Sequence, residues 1–132
     1  CTEMGCVDGL RVTFEPSSRW PAGVYRFELV IDGATTSCTG SLPLQSCESG
    51  AALSCTGAPV QIGESGCALP AAEHGFSEFS LASAPKHVQV SISRDGKPVA
   101  EREFHPTYPR SQPNGPDCPP ICNSASDSWR VF

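Results

Sequence analysis

The chain has 132 residues, eight of them Cys, twelve Gly and thirteen Pro, and a net charge of -5. That length suits one domain with one real core, here spanning residues 1–132. The acidic balance and scattered Lys and Arg argue against a nucleic-acid partner, and no apolar run approaches the ~20 residues needed to span a bilayer.

Residues 1–6, from Cys1 to Cys6, read as a short N-terminal clasp. Leu10, Val12 and Phe14 then alternate with polar residues, which predicts a first strand. Residues 16–23 form a loop, with Trp20 placed to cap the edge of the core. The clearest stretch is 24–38. Tyr25, Phe27, Leu29 and Ile31 share one face, and Asp32-Gly33 supplies the positive φ angles of a type I′ turn. Pairing Ile31 with Ala34 sets Cys38 opposite Phe27, facing the core. The return strand runs to Leu42 and stops at Pro43, which has no ladder donor.

Residues 45–70 are rich in loops, with short strands expected over 51–55 and 59–62. Phe76, Phe79 and Leu81 predict a strand or a single helical turn. A second hairpin follows, with Val88, Val90 and Ile92 facing inward and a turn at Asp95-Gly96. Val99 and Phe104 have opposite parity on the return strand, so a β-bulge is expected near residues 101–103. Residues 106–120 form a proline-rich loop, and Trp129 and Val131 a last short strand. About seven short strands separated by turns every 8–12 residues predict an all-β, immunoglobulin-like β-sandwich.

An even cysteine count without CxxC spacing points to disulfides rather than zinc, and so to an extracytoplasmic location. Cys38–Cys47 and Cys55–Cys67, each about ten residues apart, would make two local loops. The first and last strands of such sandwiches are often neighbours, so Cys1 and Cys6 are paired with Cys118 and Cys122. Parallel neighbours would give Cys1–Cys118 and Cys6–Cys122; antiparallel ones the reverse.

The opening Cys1-Thr-Glu-Met-Gly-Cys6-Val-Asp-Gly-Leu10, the Asp-Gly hairpins, Gly66-Cys-Ala-Leu-Pro70 and Pro113-Asn-Gly-Pro-Asp-Cys-Pro-Pro-Ile-Cys122 resemble small cysteine-rich secreted proteins and lipoproteins of myxobacterial type. The resemblance implies a place at the outer surface or in the periplasm. It raises the possibility of a lipid on Cys1 or upstream of it, which would be the chain's one link to a membrane. If Cys1 carried the lipid, seven cysteines would remain; an even set of eight favours a disulfide at Cys1.

Chemistry is sparse. There is no nucleophile elbow, and the cysteines are better used in bridges, so catalysis is not expected and no cofactor is implied. Asp32-Gly33 and Asp95-Gly96 are turn residues rather than calcium loops. If Val88 pairs with Phe104, His87 and His105 become cross-strand neighbours, close enough for two metal ligands, with Glu101 or Glu103 supplying an oxygen. Two solvated imidazoles are the preferred reading there and a metal pair the alternative. Tyr108 and Arg110, in the loop over 106–117, are the candidate contact residues for a protein partner. The function expected is a non-catalytic binding or structural module of a cell envelope or extracellular assembly. The alternatives are a metal-binding or enzyme-accessory protein using His87 and His105, and a secreted inhibitor using the 106–117 loop.

Overall fold

The computed structural model describes residues 1–15, 19–57 and 60–132. Residues 16–18 of the expected first loop and Pro59 of the expected short strand lie outside them. The described residues form ten strands: β1 Gly9–Phe14, β2 Gly23–Ile31, β3 Ala34–Leu42, β4 Ser54–Cys55, β5 Val60–Ser65, β6 Gly75–Leu81, β7 Val88–Arg94, β8 Lys97–Phe104, β9 Arg110–Ser111 and β10 Cys122–Trp129. They form two five-stranded sheets, ordered β5-β6-β1-β10-β9 and β4-β3-β2-β7-β8. This is a β-sandwich, as composition and periodicity predict. The immunoglobulin strand order is not found: there the first strand pairs with the second, whereas β1 lies between β6 and β10.

The first hairpin forms in the expected register, with Ile31 opposite Ala34 and Phe27 opposite Cys38. Asp32 and Gly33 have φ of 47° and 89°, and Asp95 and Gly96 have 51° and 79°, so both turns carry the two positive φ angles of type I′. Tyr25, Phe27 and Leu29 are fully buried. Around them Phe14, Trp20, Phe76, Phe79, Phe104 and Trp129 complete one continuous core. Trp20 packs edge-on against Tyr25, Phe76 and Phe132 at one end, and Trp129 against Phe104 at another.

Three expectations are corrected. The bulge on the second hairpin does not fall at 101–103. Val88, Val90 and Ile92 pair without interruption with Phe104, Arg102 and Ala100, while Ser93 already faces Pro98, so the extra residue is Val99. The ladder is weakest there, because Pro98 has no N–H to give it. Arg102 consequently takes an inward position. It is tolerable because β8 is an edge strand: the guanidinium lies over the Phe104 ring and donates to the Ser128 carbonyl (2.8 Å) and the Asp127 carboxylate, joining the two sheets. The last strand is not centred on Trp129 and Val131. β10 begins at Cys122 and runs parallel to β1, from Gly9 opposite Ser124 to Phe14 opposite Trp129. Its polar sequence has no alternating signal, and the non-local pairing with β1 creates it. On its other side β1 packs against β6, and Gly9 permits that approach, since a Cβ there would sit 1.9 Å from the Leu81 carbonyl oxygen.

The third correction concerns the bridges. Cys38–Cys47 and Cys55–Cys67 are replaced by the interleaved pairs Cys38–Cys55 and Cys47–Cys67. Cys38 and Cys55 are directly opposite in the β3–β4 ladder, so sheet pairing overrides proximity in sequence. Cys1–Cys118 and Cys6–Cys122 take the order that parallel β1 and β10 require. No cysteine is free.

Phe76 and Phe79 also have opposite parity, yet both are buried. Gly63 faces Glu78 and Glu64 faces Phe76, which leaves Ser77 as the extra residue. Gly63 makes room for it: a Cβ at that position would lie 2.5 Å from Ser77 Oγ.

Candidate functional site

The second hairpin closes on Val88 opposite Phe104. Both are buried, so the residues just outside them, His87 and His105, turn away from the core. Their rings stack with centroids 4.7 Å apart and planes 29° apart. Glu103, opposite Gln89 on the outer face, reaches the same place. Its Oε2 is 3.6 Å from Nε2 of His87 and 3.6 Å from Nε2 of His105. All three donor atoms lie within 4.8 Å of one another, the one such cluster among the described residues. Of the two glutamates the sequence offered, Glu101 is already engaged as the acceptor for Gln89 Nε2 at 2.6 Å.

Two neighbours fix the backbone that carries the histidines. Asp32, in the turn of the first hairpin, accepts from the Lys86 N–H (3.0 Å) and the His87 N–H (2.9 Å), and its own N–H donates to the His87 carbonyl (2.9 Å). Tyr108 donates its hydroxyl to the Pro85 carbonyl at 2.6 Å, which ties the chain after His105 to the chain before His87. Burial, and then the Asp32 charge, push the Tyr108 phenol above its usual range.

Tyr108 is therefore a half-buried latch with its hydroxyl turned inward, and not the outward anchor expected from its place in a loop. Arg110 is exposed on β9 and donates to Gln112 Oε1 at 3.2 Å. The structure does not join the two into one contact patch. The 106–117 loop is held from within. Gln112 Nε2 donates to the carbonyls of Pro116 and Cys118, and Asn114 binds Thr2 Oγ1 and both the N–H and carbonyl of Met4.

The remaining histidine is different in kind. His74 is buried; its Nδ1 accepts from the Leu44 N–H and its Nε2 donates to the Leu69 carbonyl, both at 2.8 Å. Both nitrogens are used, so it ties Leu44 to Leu69 and offers no ligand atom. Trp20 and Trp129 are core residues. Cys1 Sγ is bonded to Cys118, so the sulfur that a lipid thioether would need is engaged.

Asp32 is the site residue that sequence reasoning missed. Asp-Gly signals a turn, but nothing local signals that β2 and β7 are neighbours, and that adjacency brings the Asp32 carboxylate to residues 86 and 87.

Four disulfides suggest an oxidising, extracytoplasmic environment, and a disulfide-rich β-sandwich fits a structural or binding module there. Among the described residues no helix is long and apolar enough to cross a membrane. The chain matches no protein-family model, no curated protein and no solved structure.

Proposed function

We propose that this chain is a non-catalytic binding or structural module of a bacterial cell envelope or of an extracellular assembly. The observation that carries the reading is where the disulfides fall. Cys1–Cys118 and Cys6–Cys122 hold the N-terminal arm to the end of the proline-rich loop and the start of β10, Cys38–Cys55 locks the two-residue β4 to β3, and Cys47–Cys67 ties together two segments outside the strands. Such stapling protects exposed loops against local opening, which serves a domain outside the cell and would not form in a reducing cytosol.

The test is cell fractionation of the native source, with thiol alkylation before lysis and intact-mass analysis. The reading expects the protein in the envelope or the medium, lighter by eight hydrogens and carrying no alkylation. Recovery from the cytosol with alkylated thiols would overturn it.

A further inference from the structure

We propose that His87, His105 and Glu103 form a binding site for one divalent transition-metal ion of the zinc, copper or nickel class. The spacing of the donors carries the inference. At 3.6 Å, each Nε2–Oε2 separation exceeds the roughly 2.7–3.2 Å of an N–H···O hydrogen bond, so neither imidazole is hydrogen-bonded to the carboxylate. It comes close to another length. Ligands held about 2.1 Å from a tetrahedral metal stand about 3.4 Å apart. Two of the three edges of such a ligand triangle are therefore set to within a few tenths of an ångström, and they share one corner at Glu103 Oε2. The stacked rings present both Nε2 atoms to that corner.

The positions are also built. The buried pair Val88 and Phe104 fixes the register that sets the two histidines opposite each other. The Asp32 carboxylate holds the backbone of residue 87, and the Tyr108 latch holds the chain leaving residue 105. This is the supporting shell that orients metal ligands and lowers the cost of bringing them together.

Chemistry selects the ion. Two imidazoles and one carboxylate suit zinc, copper and nickel, whereas calcium and magnesium take all-oxygen shells with more ligands. Three protein donors leave at least one coordination position for water or a ligand. Glu103 and His105 are exposed, so that position faces solvent. This site does not depend on whether the module serves as a binder or as a structural part.

The experiment is a zinc titration of the untagged, fully oxidised protein, followed by calorimetry and by the imidazole nitrogen resonances. One zinc ion is expected per chain. The His87 and His105 resonances should move and the His74 resonance should stay, because both of its nitrogens are engaged inside the fold. His74 thus reports the fold in every variant. His87→Ala and His105→Ala should each weaken binding at least tenfold, and Tyr108→Phe should weaken it about tenfold through the shell. Magnesium should not compete. The proposal is overturned if millimolar zinc leaves His87 and His105 unmoved, or if either histidine variant keeps the parent affinity. Unchanged affinity in Glu103→Gln would overturn the three-donor centre.

Discussion

Replacing Cys1 and Cys118 together by serine tests how the two long bridges act as a pair. Cys1–Cys118 closes a loop with a sequence separation of 117, and Cys6–Cys122 one of 116. Taken alone, either would remove enough unfolded-chain entropy to stabilise the fold by about 4.9 kcal/mol. They are not alone. With Cys6–Cys122 in place, Cys1–Cys118 closes only the small ring made of residues 1–6 and 118–122, a loop of roughly ten residues that is worth about 2.7 kcal/mol on the same scale. The argument is symmetric, so removing either bridge should cost about 2.7 kcal/mol, while removing both should cost about 7.6. The pair then shows a coupling of about 2.2 kcal/mol in a double-mutant cycle. The assay is reversible urea unfolding of each variant, with its remaining bridges verified as native by peptide mapping. A loss near 4.9 kcal/mol for either single removal, or strict additivity, would refute the shared-loop reasoning.

Asp32→Ala should cost about 2 kcal/mol, from a left-handed alanine and two backbone N–H groups without their acceptor, whereas Asp32→Asn should cost under half of that; thermal unfolding and amide exchange at Lys86 and His87 check both. Phe27→Ala empties a fully buried position beside Phe14 and Phe76 and should cost about 4 kcal/mol in urea unfolding. The two tyrosines should both ionise late in a spectrophotometric titration, since burial raises Tyr25 and Tyr108. For a raised group the stabilising contribution is complete below the ordinary value of about 10 and is lost as pH climbs through the folded value, so alkaline unfolding should accompany ionisation. Tyr108→Phe should cost about 1 kcal/mol through the orphaned Pro85 carbonyl. Glu78 is held below the usual carboxylate range by its hydrogen bond to Arg11 and by the Arg11 charge. Its contribution is therefore present above the ordinary value and fades as pH falls through the depressed one, so the stability of Glu78→Gln should depend less on pH in the acid range than the parent's does.

Both hairpins were legible because period-2 alternation and an Asp-Gly turn are local signals that agree with each other. Cys38 opposite Phe27 then follows by counting, whereas counting from Arg94 and Lys97 sets Val88 opposite Glu103 and only the bulge moves it to Phe104, where His87 meets His105. Parity suggested a bulge between Val99 and Phe104, but that stretch pairs without interruption and the extra residue is Val99 itself, beside Pro98, which has no N–H for the ladder. What stayed hidden was non-local. β10 has a polar sequence and exists through its parallel partner, and β4 is two residues long and is recognised by its pairing with β3. The Cys38–Cys55 bridge depends on that pairing, so counting residues between cysteines selects the wrong partners. Tyr108 looked like a surface anchor because its loop is rich in proline, and only the path of the chain past Pro85 turns it inward.

The two type I′ turns complete this logic, because each aspartate works on the other hairpin. Asp32, at the end of β2, holds the start of β7 through the N–H groups of Lys86 and His87. Asp95, at the end of β7, accepts from the Val24 N–H at the start of β2, and its own N–H donates to the Val24 carbonyl. β2 and β7 are antiparallel neighbours at the centre of their sheet, so the exchange closes a ring of polar contacts around the most buried apolar strands. One end of that ring is the backbone of His87. The candidate ligands therefore sit on an exposed surface but take their positions from the core: inward Val88 and Phe104 set the register, the register sets the imidazoles face to face, and the Asp32 carboxylate holds one of them. A one-residue slip of β8 against β7 would turn Glu103 and His105 inward together and leave His87 outside without them. Geometry at this site and burial at Phe104 should accordingly be lost together.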